Sequence, residues 1–296
     1  MAGTKVQRPK HEAIGLTEEE TAISRAVWQS LFPSPLWIDT YVGRTVWGYE
    51  DLEILAVARD LQRNVLIPGP TGAGKSHFFR AFGAREGTAI ATVSCHGASD
   101  PALWFGDFRH LRGEWLWVDG IITAVARWGG LGFFDEINFL RADIAASVHS
   151  AFRERELVLE RKGNEVVQFA DDALVVGAYN PGYEGTSDLN EALKNRFAIT
   201  LPWDYDAKVE RKLVSNVCLL KVADHLRQAL AEGLIETPVS TNSLQEFEEL
   251  AASFDTQFAT ANFVARFLPE ERPTVTNILE LEKVESTFVV PETVEL

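Results

Sequence analysis

Val65-Leu66-Ile67-Pro68-Gly69-Pro70-Thr71-Gly72-Ala73-Gly74-Lys75-Ser76-His77 is the stretch that decides the fold. It opens on an apolar run of strand type and passes directly into GPTGAGKS, residues 69–76, a complete glycine-rich phosphate-binding pattern. A helix is expected to begin at Lys75. Strand, loop and helix in that order are the context such a loop needs. Gly69, Gly72 and Gly74 let the backbone turn tightly and approach an anion without an intervening side chain. The loop's amides then point at phosphate oxygens, aided by the positive end of the helix dipole. Lys75 is placed to reach the β- and γ-phosphates, and the Ser76 hydroxyl to ligate Mg²⁺. The nucleotide-binding set is therefore Gly69, Pro70, Thr71, Gly72, Ala73, Gly74, Lys75, Ser76 and His77. The competing reading, a chance glycine-rich turn, explains neither flank. A bound nucleoside triphosphate is the expectation.

Three further elements lie downstream, each at the end of an apolar run. Leu131-Gly132-Phe133-Phe134 leads into Asp135-Glu136. Asp135 is suited to hold Mg²⁺ through its water shell, and Glu136 to polarise a water for in-line attack on the γ-phosphorus. An acidic pair that merely opens a loop is the alternative. Leu174-Val175-Val176-Gly177-Ala178-Tyr179 leads into Asn180-Pro181, where Asn180 can meet the γ-phosphate or the attacking water. Alone, Asn-Pro is more often a turn. Finally, Arg196 ends Glu191-Ala192-Leu193-Lys194-Asn195-Arg196-Phe197 just before the last apolar run. It can act as an arginine finger on a neighbouring subunit's γ-phosphate, with Lys194 the weaker candidate. A cation satisfying a helix C-terminus is the bland alternative.

Apolar runs at 89–93, 131–134, 174–178 and 198–201 alternate with helical patterns at 49–62, 122–127 and 143–155. This predicts a parallel sheet covered on both faces. Thr17 followed by three glutamates reads as the cap of an earlier helix ending before Pro33, and Lys162-Gly163-Asn164 as a hairpin turn. From residue 206 the chain reads as consecutive helices broken near Gly233 and Pro238. The expected division is an N-terminal arm and helix over 1–37, an α/β core over 38–204, a helical domain over 205–285 and a tail over 286–296. One β-prone run, 287–290, lies in the tail.

The 296 residues carry a net charge of −15, with 46% hydrophobic and 24% charged residues. That is an ordinary globular balance able to bury a core. The acidic surplus weighs against a protein that tracks a nucleic-acid backbone. Two distant cysteines, Cys95 and Cys218, give neither a disulfide framework nor a zinc site, and a reducing cytoplasm is the default. The N-terminus has no apolar core of a signal peptide, and no window approaches a membrane span. The histidines, including His96, His110 and His149, show no metal-ligand spacing.

These elements, in this order, resemble the AAA+ ATPases, specifically the MoxR-like branch with its relatives CbbQ, NorQ and GvpN. Beyond the phosphate loop, the resemblance rests on Val118-Asp119-Gly120-Ile121 through Trp128-Gly129-Gly130 into FFDEIN. It continues through Asn180-Pro181-Gly182-Tyr183-Glu184-Gly185 and EALKNRF at 191–197, and covers about residues 41–267. It implies a P-loop core with β-hairpin insertions, followed by a smaller all-helical lid. It implies Mg²⁺-dependent ATP hydrolysis in a homo-oligomeric ring, usually a hexamer, with each site completed by the next subunit. It implies a partner protein that is remodelled, commonly one with a von Willebrand A domain, which here would be a separate polypeptide. It also implies an inserted hairpin at about 108–118, whose Trp115 and Trp117 are expected to be exposed toward a partner or a pore. Packing on the domain body is the alternative for both. The lid arginine of the family falls at Asn242, which cannot supply charge; Arg266 is a possible substitute. The segment around Val42-Gly43 and Val46-Trp47-Gly48 would line the base.

Other classes stay open. A nucleic-acid motor would need a cationic pore, for which Arg109, His110, Arg112 and Lys162 are the candidates. A nucleotide-gated scaffold with little turnover would fit Asn242. A small-molecule kinase would leave the Asn180 and Arg196 elements without a purpose.

Overall fold

The computed structural model describes residues 15–95, 100–140, 144, 148, 151–181, 189 and 191–284. The expected arm at 1–14, His96, His149, most of 141–150, residues 182–188 and the β-prone run at 287–290 lie outside the described residues. The chain divides into two compact units: residues 1–41, 45–69 and 75–202, and residues 42–44, 70–74 and 203–296.

The first unit is an α/β sandwich around five parallel strands: β3 (Val65–Pro68), β4 (Ile90–Ser94), β7 (Gly130–Asp135), β10 (Ala173–Tyr179) and β11 (Ile199–Thr200). Their order is β11-β3-β10-β7-β4. Register pairs Val65 with Val176, Val176 with Phe133, and Ile199 with Val65. Six consecutive residues of β10, Ala173 to Ala178, are buried. That unbroken apolar run is what a strand covered on both faces requires. On one face Phe134 meets Phe152, which meets Phe197. On the other, Phe79 from the helix after the phosphate loop packs on Phe133, with ring centroids 4.0 Å apart.

Helices α1 (Glu18–Ser30), α2 (Leu36–Asp39), α3 (Asp51–Asp60), α4 (Lys75–Glu86), α5 (Pro101–Phe105) and α6 (Ile121–Trp128) complete the unit's long elements up to β7. Thr17 and Glu20 form a reciprocal capping box at the start of α1. Two short features escape the sequence reading: α2 itself, and the two-residue strands β1 (Thr45–Val46) and β2 (Tyr49–Glu50), paired across Trp47 and Gly48.

Two hairpins are inserted. β5 (Gly106–Leu111) pairs with β6 (Glu114–Asp119), between α5 and α6. β8 (Glu156–Leu159) pairs with β9 (Glu165–Gln168) around a left-handed Gly163-Asn164 turn. The expectation of two exposed tryptophans needs correction. Trp115 is 70% exposed, but Trp117 is 1% exposed. The Trp117 indole donates to Asp119 at 2.7 Å, and its main-chain N–H to Glu20 at 2.9 Å. Asp119 also accepts from Ser24 of α1 and from Arg127 of α6, at 2.5 and 3.0 Å. An indole is kept inside when its N–H finds a buried acceptor, and Asp119 is that acceptor.

The second unit is helical: Ala207–Leu213, Val217–Ala231, Thr241–Ser253, Thr256–Ala265 and Arg272–Leu281. Asp206, Asn216, Ser240 and Asp255 cap the first four, each accepting from an amide of the first turn. Leu219, Leu226, Leu244, Phe247, Phe263 and Leu279 belong to its core.

Candidate functional site

In the first unit the phosphate loop leaves β3 at Gly69, whose amide donates to Tyr179 O at 3.0 Å. That bond joins the C-terminal ends of β3 and β10. The Lys75 ammonium donates to Gly69 O at 2.5 Å and so spans the loop's base. Ser76 is exposed, on the first turn of α4. The His77 ring lies 3.0 Å from the Thr40 hydroxyl and 3.3 Å from Trp37 O, against the Trp37 and Tyr41 rings. Burial lowers its pKa, with the nearby Arg80 charge acting in the same direction.

Asp135 ends β7 beside β4, and Asn180 follows β10 directly. Both, like Glu136, are half-buried. Glu136 stands in the left-handed region at φ +53°, with its amide 3.1 Å from Asp135 Oδ1. A glutamate rarely adopts that backbone, and such strain concentrates at working sites. Cys95 follows β4 directly, its amide donating to Asp135 O at 3.0 Å. Burial, together with the Asp135 and Glu136 charges, pushes its thiol up to about 12. Lys75, Asp135, Glu136 and Asn180 all belong to the C-terminal ends of their strands, where parallel sheets place ligands.

Arg196 does not. Its carbonyl accepts from the Asn64 side chain at 3.3 Å, and Asn64 O accepts from the amides of Ala198 and Ile199. These contacts put Arg196 at the N-terminal ends of β3 and β11. One arm of its guanidinium donates to Ala192 O at 2.6 Å, while its Nε is buried without a partner among the described residues. Four residues of β3, roughly 13 Å at ~3.3 Å each, separate the Arg196 end from Gly69. Lys194, the weaker candidate, is exposed on the short helix Glu191–Lys194.

In the second unit, residues 70–74 are held by side chains that the sequence reading missed. Ala73 O accepts from the Trp203 indole at 2.8 Å and from the Arg44 guanidinium, which also lies over the Trp203 ring at 4.3 Å. Thr71 O accepts from the Tyr205 hydroxyl at 2.8 Å. Burial and the Asp204 and Glu210 charges push that phenol up to about 12 against the opposing Arg227, so it stays a donor. Arg227 lies over the Tyr205 ring at 3.9 Å and forks onto Glu210 at 2.7 and 2.8 Å. Gly72, at φ +71°, faces Ser240: a Cβ there would lie 2.5 Å from Ser240 Cβ. Arg44, Trp203 and Tyr205 lie far from the loop in sequence, and no spacing signal links them to it.

Asn242 is exposed on the first turn of Thr241–Ser253. The proposed substitute, Arg266, caps its own helix and pairs with Glu246 at the surface. Of the cations suggested for a nucleic-acid pore, Lys162 is paired with Glu165 at 3.0 Å and Arg112 with Glu19 at 3.4 Å. Arg109 and His110 are exposed on the hairpin.

Ser76 and Asp135 offer hard oxygen donors, the set that suits Mg²⁺ when phosphate oxygens complete the shell. Among the described residues no three His, Cys, Asp or Glu side chains gather into a dedicated metal cage. No described helix is long and apolar enough to cross a membrane.

Comparison with known proteins agrees with this architecture. The family model for the AAA domain of the dynein-related subfamily matches residues 64–197. Protein NorQ of Paracoccus denitrificans is 33% identical over 51% of this chain and 55% of its own length. Protein CbbQ of Hydrogenophilus thermoluteolus is 32% identical, over 61% of this chain and 66% of its own. The denitrification regulatory protein NirQ of Pseudomonas aeruginosa is 32% identical over 64% of this chain and 72% of its own. The chain thus spans only about half of NorQ and more of the other two. With this sheet order, these strand-end residues and these relatives, the chain belongs to the MoxR-like AAA+ ATPases.

Proposed function

We propose that this chain hydrolyses Mg·ATP in a homo-oligomeric ring, each site completed by the next copy, and uses the cycle to remodel a partner protein. The observation that carries the reading is the polarity of the sheet. Lys75, Asp135, Glu136 and Asn180 belong to its C-terminal end, and Arg196 to its N-terminal end, a β3 length away. Arg196 is out of reach of its own chain's γ-phosphate, so a catalytic role for it requires a second copy. Head-to-tail contacts of that kind close into a ring when the rotation between successive copies closes.

In this mechanism the loop amides and Lys75 hold the β- and γ-phosphates. Glu136 accepts a hydrogen bond from the attacking water and takes its proton, and Asn180 orients that water or the γ-phosphate. Ser76 and Asp135 would hold Mg²⁺, which when bound neutralises charge on the β- and γ-oxygens. The neighbour's Arg196 stabilises the charge that develops during transfer, an effect on the order of a thousandfold or more. ADP and inorganic phosphate leave. A protein bearing a von Willebrand A domain is the leading candidate for the partner.

A second reading, a nucleotide-gated scaffold with little turnover, draws on the lid. Asn242 carries no charge and Arg266 is committed to Glu246. Hydrolysis per subunit, measured across protein concentration beside Arg196→Ala, tests the proposal. Specific activity should rise with concentration and collapse in the variant. Activity flat with concentration and indifferent to Arg196 would sink it, and binding without turnover would favour the scaffold.

A further inference from the structure

We propose that Arg63 and Arg153 form, with Arg196, a phosphate-recognising cleft that receives the triphosphate held by a second copy of this chain. The inference rests on the shared-site reading above and adds two residues to it. A cleft of about 670 Å³ opens at the N-terminal ends of β3 and β11, lined by Gln62, Arg63, Asn64, Arg153, Asn195 and Arg196 among others. None of its lining residues is a carboxylate, on a chain whose net charge is −15. This is a local reversal of sign.

The arginines divide by what they already do. Arg155 also lines the cleft, but its guanidinium is committed to Ala170 O and Ala173 O at 2.7 and 3.0 Å, so it builds the wall. Arg63 and Arg153 are exposed and make no side-chain hydrogen bond or ion pair among the described residues. Arg196 keeps a buried Nε without a partner there. Like charges gathered in one concavity repel one another. A multivalent anion turns that repulsion into attraction, and the planar guanidinium fork matches phosphate oxygens.

The source of the phosphate follows from the sheet. The chain's own phosphate loop leaves the far end of β3, roughly 13 Å away at ~3.3 Å per residue. A head-to-tail neighbour brings its loop to this end instead. Arg63, on the segment between α3 and β3, and Arg153, just before β8, then flank the finger and add attraction for the γ-phosphate and its developing charge.

The test mixes two full-length chains. Arg63→Ala/Arg153→Ala keeps an intact loop but an altered cleft, and Lys75→Ala keeps an intact cleft but a disabled loop. Alone, the double variant should lose about tenfold in hydrolysis, as two exposed charges facing a developing phosphate charge warrant, with an unchanged melting temperature. Arg63→Lys/Arg153→Lys should recover most of that loss. Titrating in Lys75→Ala should then raise the double variant's activity severalfold, because intact clefts complete its sites. The same mixture made with Arg196→Ala reports separately on the shared-site reading. A rise with Arg196→Ala but none with the double variant overturns this proposal and leaves the finger standing. No rise in either mixture overturns both. Wild-type activity in the double variant alone also overturns it, and a free phosphate site would show as inhibition by tripolyphosphate that the double variant loses while hydrolysis is unchanged.

Discussion

The Asn64 side-chain amide donates to Arg196 O at 3.3 Å and to Phe152 O at 2.5 Å, so one buried group ties the start of β3 to the segments carrying Arg153 and Arg196. Asn64→Ala leaves both carbonyls short of a donor, a cost of about 1–3 kcal/mol. Chemical denaturation should show that loss. Nucleotide affinity should stay near wild type while hydrolysis falls, because the loop is at the other end of the strand. Equal losses in binding and turnover would contradict this separation.

Gly72→Ala is expected to weaken nucleotide binding by tenfold or more, since it combines a left-handed backbone with a Cβ 2.5 Å from Ser240 Cβ. Adding Ser240→Gly should restore part of the affinity by removing the clash but not the backbone strain. Titration with a fluorescent nucleotide decides it. Full affinity in Gly72→Ala would mean that the loop and Ser240 separate freely.

Trp115 and Trp117 should part company on mutation. Trp117→Ala empties a buried site and removes one of the three side-chain donors to Asp119, costing ~3–5 kcal/mol. Trp115→Ala removes an exposed ring and should shift stability by no more than about 0.5 kcal/mol. Thermal melts of the two variants should therefore differ by many degrees, and similar melts would refute the assignment of Trp117 to the interior.

Glu271 sets part of the acid limit of the second unit. Burial raises its carboxyl, but the Thr237 hydroxyl and the amides of Glu236, Leu268 and Thr237 outweigh burial and hold it below the usual carboxylate range. A carboxyl with a lowered folded pKa adds stability that is present above its unfolded value and lost as pH falls through the folded one. Glu271→Gln should therefore be less stable at pH 7 and show a shallower decline below about pH 4.5. An unchanged acid slope would count against it.

Cys95 should resist alkylation at pH 8 in the folded chain, because its thiol is pushed up to about 12 and the residue is 1% exposed. Cys218, which is partly exposed, should label first. Its raised value also means that Cys95 favours folding below its ordinary value of 9.0, a contribution lost as pH rises toward about 12. Peptide mapping after iodoacetamide treatment reads the order. Comparable labelling of both thiols would place Cys95 nearer solvent than described.

The sheet was legible because its strands are continuous apolar runs, and burial on both faces demands that pattern of Val65 to Ile67 and of Leu174 to Ala178. The helix cap at Thr17 and the glycine turn at Gly163 are local chemistry, which sequence states directly. What stayed hidden depends on distant partners. Trp117 and Trp115 look alike two residues apart, and only Asp119, Ser24 and Arg127 converging from three elements keep one of them inside. Arg44, Trp203 and Tyr205 reach carbonyls of residues 71 and 73 across stretches of chain that no spacing rule connects. The opposite placement of Arg196 and Lys75 on the sheet needed the strand order, which the sequence leaves unstated.

In the proposed ring, one chain's loop works with another chain's Arg196. Lys75→Ala and Arg196→Ala chains, each purified and each nearly inactive alone, should be mixed and assayed for Mg·ATP hydrolysis. Activity should return on mixing, up to roughly a quarter of wild type when the chains assemble at random, since only some interfaces pair an intact loop with an intact arginine. A mixture no more active than its two components would contradict it.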